Sequence, residues 1–199
     1  MTLYGLKPAF QNLLRPLMLR LNAKGVTANQ VTLLAMLLSV ALGIALSFAS
    51  HVLWLLLLPF FLFLRMALNA IDGMLARECN QQSQLGAILN EVGDVVSDAA
   101  LYLPFALFLP MPWLTVSVVF LAVLSEFCGV LTQVLIGQRS YAGPMGKSDR
   151  AFVFGAGALV LAIFPEWSVW GSHVMMVLAL LLIWTCINRC RAALVSEVK

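Results

Sequence analysis

The sequence predicts an all-α fold: a polytopic membrane bundle of six transmembrane helices preceded by an interfacial helix. Three observations carry that prediction. The 199 residues are 62% hydrophobic and 11% charged, with a mean hydropathy of +0.96, whereas soluble domains are roughly 45–50% apolar. Six apolar stretches, about 31–50, 52–70, 86–109, 113–136, 150–165 and 168–187, each approach the roughly 20 residues a helix needs to cross the hydrocarbon core. The basic residues fall only in alternate connections.

The elements follow in order. Residues 1–24 read as an interfacial helix, with Leu3, Leu6, Phe10, Leu13, Leu14 and Leu17 at helical spacing and Lys7, Arg15, Arg20 and Lys24 among them. They lack the apolar core and cleavage site of a signal peptide. Pro8 and Pro16 should break or bend this helix. Residues 25–199 form the six-helix bundle, and the whole chain, 1–199, is expected to be a single domain.

Orientation follows from the cations. All twelve Lys and Arg lie at the termini, in the second-to-third or fourth-to-fifth connection, or at span ends adjoining them. The connections near 51, 111 and 167 carry none. This positive-inside pattern puts both termini in the cytoplasm. The net charge of +3 is thus accounted for by topology, and no nucleic-acid partner is expected. Cys79, Cys128, Cys186 and Cys190 lack metal-knuckle spacing, so reduced thiols are expected.

The chemistry concentrates in residues 69–98, which hold five of the nine acidic residues. Asn69 and Asp72 are three apart on the second span, and Gly86, Asn90, Asp94 and Asp98 are four apart on the third, so each set shares a helix face. The sets are nearly mirror-symmetric about residue 81. An antiparallel hairpin turning there brings Asn69, Asp72, Asn90 and Asp94 to one depth, about two turns from the cytoplasmic connection. Converging oxygen ligands of this kind suit a hard divalent ion. The competing reading is a polar hairpin satisfied by its own hydrogen bonds. Small residues Gly73, Ala76 and Gly86 permit close approach of a flat ligand or another backbone. By the same mirror counting Arg65 should lie opposite Asp98, with Glu126 of the fourth span as the competing partner.

The run Asp72-Gly73-x-x-Ala76-Arg77, eight residues, Gly86-x-x-x-Asn90-x-x-x-Asp94 resembles the signature of the CDP-alcohol phosphatidyltransferase family, in particular a bacterial inner-membrane branch of it. Thr27-Ala28-Asn29-Gln30-Val31-Thr32 is similar to the family's Thr-Pro-Asn-x-x-Thr element, with alanine in place of proline. The family carries aspartate where this chain has Asn69 and Asn90.

The resemblance implies transfer of a phosphatidyl group from a CDP-linked lipid, such as CDP-diacylglycerol, to a small alcohol, phosphorylated in some members, with release of CMP in phospholipid biosynthesis. It implies Mg²⁺ or Mn²⁺ held by Asp72, Asn69, Asn90 and Asp94, with Asp94 as general base. Gly73, Ala76, Arg77, Gly86, Asn29 and Thr32 would contact the cytidine nucleotide. Arg139, Lys147 and Arg150, in the polar segment 137–150, would meet the acceptor; the alternative is that they only anchor topology. The implied setting is the bacterial inner membrane, among membrane lipids, as a homodimer. The two asparagines make a second reading explicit: a weak or silent member that binds nucleotide-lipid as a scaffold or regulator. A transporter is less favoured, because no broken midplane helix is evident.

Overall fold

The computed structural model describes residues 6–196, with side chains described from Pro8 to Val195. Leu3 and Lys199 lie outside the described residues, as do the first five positions of the expected interfacial helix; the Leu6 and Lys7 side chains do too. Among the described residues seven α-helices form: α1 Leu6–Ala23, α2 Ala28–Ser47, α3 Leu57–Glu78, α4 Gln84–Tyr102, α5 Pro112–Ile136, α6 Lys147–Ile163 and α7 Ser168–Ser196. Short 3-10 turns occupy Val52–Leu56, Leu103–Leu107 and Pro165–Trp167, and no strand occurs among the described residues.

Four of these segments are long and apolar enough to cross a membrane: Ala28–Ser47, Val52–Glu78, Pro112–Ile136 and Pro165–Val195. Of the other two expected spans, α4 carries Glu91, Asp94 and Asp98 along its length. The remaining one, α6, has 17 residues, about 25 Å at 1.5 Å per residue.

The chain divides into two compact units. The first comprises Met1–Leu42 and Phe60–Ser97. Its core is Met18, Ala28, Val31, Ile71, Met74 and Leu75, with Leu14, Leu21, Leu68 and Cys79 packed against it. Leu13 and Leu17 on α1 stay exposed. The expected break at Pro16 does not occur: α1 runs through it. Pro8 sits in the first turn, where its missing N–H would have no intrahelical partner anyway.

The connections in this unit are built by caps. Gly25, at φ +76°, ends α1 with Gly25 N donating to Asn22 O and Val26 N to Leu21 O, a Schellman ending that favours glycine. Thr27 and Gln30 then form a capping box for α2: Thr27 Oγ1 accepts from Gln30 N at 3.3 Å and Gln30 Oε1 from Thr27 N at 2.9 Å. Asn80, at φ +55°, ends α3 as Gln81 N reaches back to Ala76 O. Ser83 Oγ accepts from Gly86 N to start α4. The hairpin therefore turns at 79–83, where the mirror in the sequence put it.

The second unit comprises Gly43–Pro59 and Asp98–Lys199. Within it α5 packs along α7, and α6 packs on the 52–56 turn. Phe154 stacks on Tyr102 at 4.0 Å and meets Phe105 edge-on at 5.0 Å. Phe120, Phe127, Phe152 and Leu180 face outward, an apolar exterior suited to lipid rather than water.

Candidate functional site

In the first unit, α3 presents Asn69, Asp72, Gly73, Ala76 and Arg77, and α4 presents Gly86, Asn90 and Asp94. Asp72 is buried, Asn69 and Asp94 are half-buried, and Asn90 is exposed. Thr32 of α2 donates from Oγ1 to Asp72 Oδ2 at 2.8 Å, with Ala28 O as a second acceptor at 3.1 Å. The two motif segments, 27–32 and 72–77, are thus joined through a hydrogen bond to the carboxylate itself.

Asn29 joins the other helix. Its amide nitrogen lies 3.5 Å from Ser83 Oγ, and a Cβ built on Gly86 would fall 2.7 Å from Asn29 Oδ1. A side chain at position 86 would therefore require the Asn29 amide to shift. A Cβ on Gly73 would meet the Arg77 guanidinium at 3.1–3.3 Å, so Arg77 folds back over the bare turn at Gly73 while staying exposed.

Two further contacts were not anticipated. Arg65, buried on α3, donates from Nη2 to Asp94 O at 3.2 Å and Asp94 Oδ1 at 3.4 Å. Mirror counting had set Arg65 opposite Asp98; its contact with Asp94 lies one turn, about 5.4 Å, nearer the connection. Gln81 receives Ala28 N at 2.7 Å on Oε1 and donates from Nε2 to Asn22 Oδ1 at 2.9 Å. The alanine that replaces the resembled proline therefore supplies an N–H that proline lacks. Both signals were present in the sequence, the capping box as Thr-x-x-Gln and Gln81 at the hairpin centre.

Asp72, Asp94, Asn69 and Asn90 offer two carboxylates and two amide oxygens. No three His, Cys, Asp or Glu side chains gather as metal ligands among the described residues. This donor chemistry fits one hard cation that completes its shell with substrate phosphate or water.

In the second unit a charged cluster surrounds Glu126 of α5. Arg139 Nη2 donates to its Oε2 at 2.6 Å, Arg150 Nη2 to its Oε1 at 2.9 Å, and Arg189 Nη1 lies 3.4 Å from Oε2. Arg150 also binds Asp98 Oδ2 through Nη2 at 2.9 Å and Nε at 3.3 Å. Arg189 Nη1 reaches Ser125 O as well. Arg150 and Arg189 are each 2% exposed, and Arg150 Nη1 and Arg189 Nε have no hydrogen-bond partner among the described residues. Burial pulls the Arg139 guanidinium pKa below its ordinary value, with Arg189 and Arg150 adding to that, while its neighbour Tyr141 opposes. Ser140 N on Thr132 Oγ1 and Met145 N on Thr185 Oγ1 pin the 137–146 connection to α5 and α7.

Of the three expected acceptor residues, Arg139 and Arg150 are therefore held by acids, and Lys147 opens α6 half-buried. Arg189 escaped sequence reasoning. Its signal was a cation just past the end of the last apolar stretch, followed two residues on by Arg191; such a cation needs a partner if it lies at membrane depth.

The motif-bearing helices and the all-α architecture define a class. The sequence model of the CDP-alcohol phosphatidyltransferase family matches residues 25–185, and the chain belongs to that family. It is 56% identical over 199 residues to the inner membrane protein YnbA of Escherichia coli strain K12, covering 99% of this chain and 98% of that one. An uncharacterized protein of Aquifex aeolicus strain VF5 is 39% identical over 101 residues, 50% of this chain and 47% of its own. Among solved structures, Mycobacterium tuberculosis phosphatidylinositol phosphate synthase (PgsA1) with CDP-DAG bound superposes with a TM-score of 0.76 at 22% identity, over 89% of this chain and 92% of that one. The same enzyme in complex with manganese and citrate gives 0.75 at 22% identity, over 89% and 87%. At that identity the likeness speaks to the fold.

Proposed function

We propose that this protein transfers a phosphatidyl group from a CDP-linked lipid to a small alcohol and releases CMP, within phospholipid biosynthesis. The observation that carries this reading is the retained pair Asp72 and Asp94 on α3 and α4, with Asp72 oriented by Thr32 and Asp94 by Arg65. Membership of the family supports it.

In this reading Asp72, Asp94, Asn69 and Asn90 hold Mg²⁺ or Mn²⁺. When bound, the cation neutralises pyrophosphate charge and steadies the departing CMP. Arg77, over Gly73, adds a guanidinium to the phosphates. Asn29, Thr32, Gly73, Ala76 and Gly86 accommodate the cytidine nucleotide. Asp94 takes the acceptor hydroxyl's proton as its oxygen attacks the β-phosphorus, and the bond from that phosphorus to the CMP oxygen breaks. Arg139, Lys147 and Arg150 serve the acceptor side.

The chain works as one domain of six crossings, α2 to α7, with both ends cytoplasmic, in the inner membrane and as a homodimer. Support comes from the matched span 25–185, which runs through both units, from the alternation of cations, and from the inner-membrane name of the E. coli relative.

A second reading has its own observation. Asn69 and Asn90 remove two negative charges from the donor set, and Arg65 occupies part of Asp94. A weak or silent member that holds nucleotide-lipid as a scaffold or regulator would tolerate both. CMP release from CDP-diacylglycerol by the purified chain, with Mg²⁺ or Mn²⁺ and a pool of small alcohols, separates them. Metal-dependent release supports transfer; saturable CDP-lipid binding with no release supports the second reading.

A further inference from the structure

Glu126 has no part in the transfer just described, yet it is heavily engaged. Three guanidinium groups reach its two oxygens, from the 137–146 connection, from α6 and from α7. Planar, always-charged arginines converging from separate elements are the usual receptor for a phosphate or carboxylate. In this chain the carboxylate at their focus is covalently part of α5. Ion pairs among the described residues join three cations, Arg139, Arg150 and Arg189, to two anions, Glu126 and Asp98. Tyr141, under the Arg139 guanidinium at 5.3 Å, and the Ser125 carbonyl on Arg189 add no formal charge.

The geometry points to Glu126 as an internal stand-in for a phosphate, which makes the acceptor an alcohol that carries no phosphate of its own. This rests on the transferase reading and on the acceptor-side placement of Arg139 and Arg150. A phosphate monoester brings about −1.5 to −2 charges. To use these arginines it would have to sit against the Glu126 carboxylate, and such like-charge juxtaposition is a repulsive device by which sites reject a wrong ligand. Three arginines left with only Asp98 would suit a phosphate. Glu126 closes that option. A neutral alcohol meets no such repulsion, and Arg150 Nη1 and Arg189 Nε remain as unpartnered donors in the cluster.

The test uses the full chain in detergent, with inorganic phosphate as probe against chloride at matched ionic strength. Wild type should show no saturable phosphate-dependent rise in melting temperature. Glu126→Gln, which keeps the shape and removes the charge, should gain one, with apparent affinity at least about tenfold above wild type. Glu126→Gln that folds only in phosphate also supports the proposal. If it does not fold at all, Glu126→Gln with Arg139→Gln restores the native net charge and is read for the same gain. Saturable phosphate binding by wild type would overturn the proposal, as would folded variants with no gain, the result of a purely structural counter-ion.

A second arm compares CMP release with glycerol and with glycerol phosphate. Wild type should favour glycerol, and Glu126→Gln should shift the ratio of kcat/KM toward glycerol phosphate by about tenfold or more. Wild type favouring glycerol phosphate would overturn the proposal. Should no variant release CMP while phosphate binding behaves as stated, the transferase reading fails and the stand-in role of Glu126 survives.

Discussion

Arg65 Nη2 bridges the Asp94 carboxylate and the Asp94 carbonyl, at 3.4 and 3.2 Å. One buried cation on α3 thus fixes both the side chain and the backbone of the residue proposed as general base. Arg65→Gln should lower kcat for CMP release more than it raises KM for the CDP-lipid, because the base loses its orientation while the nucleotide contacts remain. Losing a charged donor to a partly buried acceptor should cost about 1–3 kcal/mol, read as a lower midpoint in thermal or denaturant unfolding. Arg65→Lys should recover most of the stability and part of kcat. Unchanged kcat in the Gln variant would remove Arg65 from the catalytic account.

Asp94→Asn tests the base directly. It keeps the shape and removes the proton acceptor, so turnover should fall about 10²–10⁴-fold in a protein that still folds and binds CDP-lipid. Turnover near that of wild type would end the assignment.

Asn69→Asp with Asn90→Asp restores the two carboxylates of the family pattern. The half-saturating concentration of Mg²⁺ or Mn²⁺ should fall, measured by activity and by metal-dependent thermal stabilisation. Without metal the double variant should be less stable than wild type, since four carboxylates would then repel one another. No change in metal dependence would mean that these positions are not ligands.

Gln81→Ala removes two hydrogen bonds that tie the α3–α4 turn to Ala28 and Asn22, and should cost about 1–2 kcal/mol. Ala28→Pro deletes one of these bonds but offers a residue favoured at the first helical position, so its net effect should lie within about 1 kcal/mol of wild type. In the Ala28→Pro background, Gln81→Ala should cost measurably less. Equal costs in both backgrounds would show that the bond from Ala28 N contributes nothing.

Much of the first unit was legible because its features are periodic or local. The four-residue spacing of Gly86, Asn90, Asp94 and Asp98 marks a helix face, and the turn at 79–83 sits at the symmetry centre of the polar residues. Pro16 does not break α1, since a helix with tertiary packing through Met18, Leu14 and Leu21 can absorb one missing hydrogen bond. The charged cluster was illegible for a different reason. Asp98, Glu126, Arg139, Arg150 and Arg189 are scattered over 92 positions with no shared period. Their meeting is decided by how α5, α6 and α7 pack. A long arginine also reaches about a turn along its neighbour, which is why mirror counting set Arg65 opposite Asp98 rather than at its contact with Asp94.

The cluster around Glu126 also bears on biogenesis. Its charges are carried by α4, α5, the 137–146 connection, α6 and α7, which leave the ribosome one after another. A charge left unmatched at the centre of a membrane-spanning helix costs roughly 2.5–3.5 kcal/mol. Glu126 meets Arg139 first, then Arg150, and its third cation only when Arg189 of α7 emerges. A chain stopped short of Arg189 would hold Glu126 with only two of its three arginines and leave the Ser125 carbonyl without its guanidinium donor. The set of contacts on Glu126 is therefore complete only once α7 is in place.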